Sequence, residues 1–169
     1  FAAALAVHEA VRTGMRPEAA AHTVTTLKWP NDVLCNGRKV CGILVEERDG
    51  WSALGIGLNV HHSLADFPPA LRESAGSLES VTGHAWDRRR LLRELLERLD
   101  ERVLQLRAGQ YERLRREWLG ACHIVGRVVR CGGGFGRVVA ADTDGALLVQ
   151  GPHGRQRVLA GEVEILDGA

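Results

Sequence analysis

The chain lacks the features that mark several large protein classes. Its four cysteines, Cys35, Cys41, Cys122 and Cys131, include no CxxC pair and no cysteine–histidine array of the zinc type. They read as reduced, small apolar residues of a cytoplasmic protein. Neither sign of charge is in excess: 22 Lys/Arg stand against 21 Asp/Glu, a net of +1. Residues 1–120 carry 17 basic and 16 acidic side chains and residues 121–169 carry five of each. Neither part is a charged tail, and no nucleic-acid surface is expected. No apolar run approaches the ~18 residues of a bilayer span, so no membrane partner is expected. Residues 1–7 are apolar but lack the basic start of a signal peptide. The first residue is Phe1 rather than a methionine, and the expectation is that the chain starts inside a longer protein.

The 169 residues, 45% of them apolar, suffice for one good-sized domain or one domain with a small satellite. Residues 1–13 are alanine-rich and read as a helix, with Gly14 ending it. Residues 23–29 are β-branched and strand-like. Two further strands are expected at about 40–47 and 52–60. Asn36-Gly37 and Asp49-Gly50 are type I′ turn signals, so these strands should form an antiparallel meander. Residues 61–86 are irregular apart from a short helix at 70–74. Asp87 can cap the next helix, on which Leu92, Leu95, Leu96, Leu99, Val103 and Leu106 recur at helical spacing. Gly109 interrupts that pattern, and residues 110–119 form a second helical piece. After Gly120 the texture changes to short strands at 124–131, 135–141, 146–150 and 156–159. Close turn signals between them suggest a small barrel.

The most informative segment is Lys28-Trp29-Pro30-Asn31-Asp32, followed by Asn36-Gly37-Arg38-Lys39 and Val40-Cys41-Gly42-Ile43-Leu44-Val45-Glu46. Pro30 fixes its own φ and drives Trp29 towards an extended conformation. Asn31 and Asp32 fall where the chain must turn. The hairpin brings Lys39 to the base of the next strand, beside that elbow. A cation, an acid, an amide and an indole then meet on one rim, which suits an anionic, partly apolar substrate with phosphates.

This run, with Gly55-Ile56-Gly57-Leu58-Asn59-Val60 after it, resembles the central region of biotin protein ligases, which attach biotin to a lysine of a carboxyl-carrier domain. The resemblance extends from about Phe1 to the C-terminus. It implies an α+β fold: a mixed or antiparallel sheet core of the class II aminoacyl-tRNA synthetase-like type over 1–120, then an SH3-like barrel over 121–169. It further implies ATP, Mg²⁺ and biotin as small molecules and a biotin carboxyl carrier protein domain as partner, and it allows a homodimer. The family also carries an arginine-rich loop of the form GRGRxxR and an early Ser/Thr-x-Asn element, neither of which stands at that place here. The expectation is that this chain is the later part of a ligase core, with little activity alone. A non-catalytic remnant and a lipoate-type acyl ligase are the competing readings; the strand from Lys39 to Glu46 argues for biotin.

Each site residue has an ordinary reading beside the functional one. A strand-end lysine is usually solvated; the resemblance gives Lys39 the catalytic role, contacting biotin and the activated phosphate. Asp32 can hold Mg²⁺ at a triphosphate, or with Asn31 only shape an Asx turn; both are assigned to ATP. Trp29 either walls the biotin pocket or is a buried structural indole. Lys28 can reach phosphate or turn to solvent. Gly42 allows close backbone approach by a flat ligand or marks a bulge; the resemblance assigns it, with Ile43, to biotin. Gly55 and Gly57 leave room for a planar ring. The resemblance points to Asn59 as an adenine contact, with Gly57 beside it on the ATP side. Arg38 reads as a surface neighbour. His61-His62 lacks a third ligand for a metal. Arg88-Arg89-Arg90 sits at the positive end of a helix dipole, where carboxylates must offset it. Gly132-Gly133-Gly134 is a turn rather than a phosphate loop, since no Lys-Ser/Thr follows.

Overall fold

Two antiparallel sheets and a small group of helices make up the protein. The structure, a computed structural model, describes residues 1–132 and 134–166. Gly133, the centre of the glycine triplet, lies outside the described residues. Helix α1 (Ala2–Gly14) leads through the short α2 (Pro17–Ala20) into β1 (Thr25–Lys28), β2 (Asp32–Cys35), β3 (Arg38–Arg48) and β4 (Trp51–Leu58). These strands form one sheet in sequence order, each antiparallel to the next, as the meander predicted. Both hairpin turns have the backbone that Asn-Gly and Asp-Gly favour: φ is 48° and 76° at Asn36 and Gly37, and 51° and 79° at Asp49 and Gly50.

Alternation divides the first sheet into two unlike faces. Leu27, Trp29, Val33, Cys35, Cys41 and Ile43 are buried on one face. Helix α1 packs on β1 and β2 there and against α4 (Arg88–Arg107) and α5 (Tyr111–Cys122). His8 is buried under this contact, where its Nε2 meets the Thr25 carbonyl at 3.1 Å; burial lowers its pKa. Arg102 of α4 is also buried and joins Glu9 of α1 to Glu117 of α5. The apolar stripe of α4 is rotated from the expected one. Leu91 and Leu95 are buried, whereas Leu92 and Leu96 are 55% and 52% exposed. The Leu91-Leu92 and Leu95-Leu96 doublets left the phase open, and Arg102 completes the buried stripe because two carboxylates receive it.

Residues 61–86 carry two 3₁₀ turns, Leu64–Asp66 and Pro69–Leu71, in place of the helix expected at 70–74. The helix lies later, as α3 (Leu78–Thr82), and Ser77 caps it by accepting from Ser80 N. Asp87 caps α4 by accepting from the amides of Arg89 and Arg90, which places one carboxylate against the arginine triplet. The second sheet comprises β5 (Val128–Cys131), β6 (Gly134–Ala141), β7 (Leu147–Gly151), β8 (Gly154–Val158) and β9 (Glu164–Ile165), in the order β8-β7-β6-β5-β9. All its pairings are antiparallel. The two sheets share one core: Trp118 and Leu114 of α5 and Val129, Val138 and Leu147 join the same buried cluster as Val33 and Cys41. No helix among the described residues is long and apolar enough to cross a membrane.

Candidate active site

Four of the predicted residues fall on a single rung of the first sheet. Lys28 stands opposite Asp32, Asp32 opposite Gly42, and Gly42 opposite Gly57. Directly opposed residues share a face, here the one without the buried apolar side chains. The rung therefore reads cation, carboxylate, glycine, glycine, and its second half is bare backbone. A Cβ at Gly57 would meet only the Gly42 carbonyl, at an ordinary contact distance of 3.7 Å.

Lys39 reaches this rung through a register shift. Val33 pairs with Cys41 but Leu34 pairs with Lys39, so Val40 is the extra residue of a β-bulge. A bulge re-aims the side chains on either side of it. Val40 turns into the core, while Lys39 lies on the open face with its Nζ 2.6 Å from Asp32 Oδ1. That oxygen is buried and accepts no hydrogen bond of regular geometry among the described residues. A Cβ on Gly42 would lie 3.3 Å from Lys39 Cε and 3.4 Å from Nζ, so the ammonium sits directly over Gly42. The bulge thus belongs to Val40 rather than Gly42, and it is the Lys39 side chain that packs over the glycine.

The elbow is fastened to β3 from both ends of Asn31. Its Nδ2 donates to the Ile43 carbonyl at 2.7 Å, and the Ile43 amide donates to the Asn31 carbonyl at 2.9 Å. The Trp29–Pro30 peptide is cis. Of the two roles open to Trp29, the geometry matches the structural one. Its indole is buried, and Nε1 donates to the Gly145 carbonyl at 2.9 Å, joining the first sheet to the turn before β7. Lys28 is exposed and lines a cleft of ≈ 610 Å³ between the sheets with Thr26, Leu34, Arg127 and Glu162.

Asn59 stands at the far end of the glycine floor. Its Nδ2 donates to the Gly76 carbonyl at 3.2 Å, its amide donates to Val40 O at 2.8 Å, and its carbonyl accepts from Leu78 N at 2.9 Å. Among the described residues its second Nδ2 hydrogen and its Oδ1 meet no further hydrogen-bond partner, leaving one donor and one acceptor side by side. Arg38 is not the simple surface neighbour expected of it. Its Nη1 donates to the carbonyls of Arg72 and Ala75, at 2.6 and 3.2 Å. The sequence carried no signal for this contact, since its partners lie more than 30 residues away in an irregular segment.

The histidine pair has ordinary partners: His61 Nε2 meets the Trp86 carbonyl at 2.8 Å, and His62 packs against Phe67. The described residues contain no cluster of three His, Cys, Asp or Glu side chains able to hold a metal. With Asp32 Oδ1 facing Lys39, they do not fit a protein-built Mg²⁺ cage.

Residues 2–62 match the model of the biotin/lipoate A/B protein ligase family. The bifunctional ligase/repressor BirA of Bacillus spizizenii is 30% identical to this chain over 157 residues, covering 88% of the chain and 48% of BirA. The chain thus spans about half the length of such BirA relatives. The biotin–[acetyl-CoA-carboxylase] ligase of Paracoccus denitrificans is 35% identical over 175 residues, covering 96% of this chain and 70% of its own length. The chain belongs to the biotin protein ligase family. Its fold is also that of a biotin protein ligase. The apo Aquifex aeolicus enzyme superposes with a TM-score of 0.83 at 27% identity, covering 98% of this chain and 73% of that one. The same ligase, solved in complex with biotin and ATP, gives a TM-score of 0.78.

Proposed function

We propose that this chain carries the ATP-dependent biotin–protein ligase chemistry of its family, with a biotin carboxyl carrier protein domain as acceptor. The observation that supports this most directly is the Lys39 ammonium, held by Asp32 over the bare backbone of Gly42. Biotin carboxylate and the α-phosphate of ATP are both anionic and must approach each other. A cation fixed between them lowers their repulsion and stabilises the charge that develops as the acyl–phosphate bond forms and pyrophosphate leaves. The carrier lysine then attacks the acyl carbon and AMP departs. Gly42, lacking a side chain, gives the flat ureido ring of biotin room beside Lys39, while Ile43, whose backbone is tied to Asn31, holds the strand under it. Gly57 leaves room for the adenine, and Asn59 recognises its edge.

Asp32 acts here as the partner that aims Lys39, and Asn31 as the tie that fixes the elbow. Mg²⁺ enters as the counter-ion of the triphosphate. In this reading the ligase core ends at about residue 120, and the described strands after it belong to the SH3-like barrel, with Trp29 bonded to Gly145 across the two. A cytoplasmic location suits the four free, buried cysteines. The test is ATP–pyrophosphate exchange with biotin, with lipoate and with neither, by this chain extended upstream of Phe1 to include the family's arginine-rich loop. Biotin-dependent exchange, with label transferred to a carrier domain, is expected. Exchange driven by lipoate alone, or none with biotin, would reject the reading.

A further inference from the structure

We propose that Arg38 is a positioning residue, one that fixes both Lys39 and Asn59 through the segment 72–76. This inference rests on the roles given to those two residues above. The segment is irregular, and its own anchors are short-range: the Ser74 and Ala75 amides both donate to Leu71 O. Arg38 supplies a long-range one, donating to its carbonyls at Arg72 and Ala75. Arg72 in turn donates through Nε to Phe67 O at 3.0 Å and through Nη2 to Ala65 O at 3.4 Å, so two guanidinium groups organise the whole stretch.

The segment then holds the site. The Lys39 amide donates to Ser74 O at 2.7 Å, and the Gly76 amide donates to Lys39 O at 3.0 Å. Both backbone groups of Lys39 are thereby fixed beside a bulge, where the regular ladder is interrupted. The Gly76 carbonyl is the one that receives Nδ2 of Asn59. Gly76 also packs on the stem of Arg38: a Cβ there would meet Arg38 Cβ at 3.2 Å and Val81 Cγ2 at 3.0 Å. Arg38 itself is rigidly placed, since it pairs with Cys35 at the base of the Asn36-Gly37 turn. A stiff hairpin therefore sets a guanidinium, the guanidinium sets the segment, and the segment sets the two residues proposed to contact phosphate and adenine. Small displacements of positioned groups cost large factors in rate.

Arg38→Ala, Arg38→Lys and Gly76→Ala test this. Amide hydrogen exchange at Lys39 and Gly76 reads the segment directly, whatever reaction the protein performs; the Val138 amide, bonded to Arg127 O in the second sheet, is the internal reference. Arg38→Ala should speed exchange at Lys39 and Gly76 but not at Val138. It should also lower kcat/KM for ATP in biotin-dependent pyrophosphate exchange by about ten- to a hundredfold. Arg38→Lys, whose ammonium can still donate to two carbonyls, should recover most of both effects. Gly76→Ala, which strains the packing from the other side with Arg38 intact, should reproduce them. Unchanged exchange at Lys39 and Gly76, uniform acceleration that includes Val138, or faster exchange with undiminished ATP use would each overturn the proposal. A wild-type protein that forms no adenylate would reject the functional reading instead, with the exchange comparison still deciding whether Arg38 holds the segment.

Discussion

Lys39→Ala should separate chemistry from stability by a wide margin. The ion pair it breaks is half in water: the Lys39 side chain is 47% exposed and that of Asp32 15%. A pair of that kind contributes up to about 1 kcal/mol to folding. For a protein of this size the melting temperature should drop by about 2–4 °C. The catalytic cost should be larger, because among the described residues Lys39 is the cation paired with Asp32 over Gly42. Removing one preorganised group that offsets developing charge typically lowers kcat about 10²–10³-fold, or about 2.7–4 kcal/mol. Biotin-dependent ATP–pyrophosphate exchange and thermal melting, on the same preparations, measure the two effects. Lys39→Arg is the control that keeps the charge but alters its shape, and should fall between wild type and alanine. Exchange within about threefold of wild type for Lys39→Ala would remove this residue from the mechanism. A collapse of the melting temperature by more than about 10 °C would instead assign it to the fold.

The other predictions concern its surroundings. Asn59→Ala should weaken ATP by about 1–2 kcal/mol and biotin by less, as read by calorimetry with each ligand; equal losses would indicate a general distortion. Gly42→Ala should lower exchange activity with little change in melting, because the new methyl meets the movable end of Lys39 rather than backbone; an unaltered rate would show that the lysine head does not work over Gly42. Trp29→Phe should cost about 2–4 kcal/mol in urea unfolding, since it orphans the Gly145 carbonyl and leaves a void between the sheets; a cost below about 0.5 kcal/mol would exclude this link. Burial pushes the thiol pKa of Cys35 up to about 11, Cys41 to about 12 and Cys122 to about 11. At pH 8 these thiols should resist alkylation until the protein unfolds, and rapid labelling of any of the three in the native protein would contradict that burial.

Much of the site was legible because its geometry is local. Two type I′ turns set the registers of β2, β3 and β4, and a period of two then puts Asp32, Gly42 and Gly57 on the same face. Lys39 needed one further feature, the bulge at Val40, which nothing in Arg38-Lys39-Val40-Cys41 announces. Without it, strict alternation would place Lys39 and Gly42 on opposite faces. The expectation that Lys39 lies beside the elbow was therefore sound in outcome but incomplete in mechanism.

What was not legible depends on contacts distant in sequence. The segment 72–76 has no periodicity, so nothing in it foretold that Ser74 and Gly76 would bracket Lys39 or that Arg38 would hold them. The phase of α4 was hidden for a related reason. Each leucine doublet offers two faces, and the choice falls to Leu91 and Leu95 because α1 packs there and Arg102 lies within reach of Glu9 and Glu117. The same distinction bears on Asn59. Its sequence context, two glycines on an edge strand, shows only that a flat group can approach. The bond from its Nδ2 to Gly76 O orients the side-chain amide, while Val40 and Leu78 fix its backbone. A hydrogen-bonding side chain discriminates well only when its alternative rotamers are excluded. In the proposed reading, recognition of the nucleotide thus depends on the irregular segment, and the Lys39 charge depends on that segment together with the bulge at Val40.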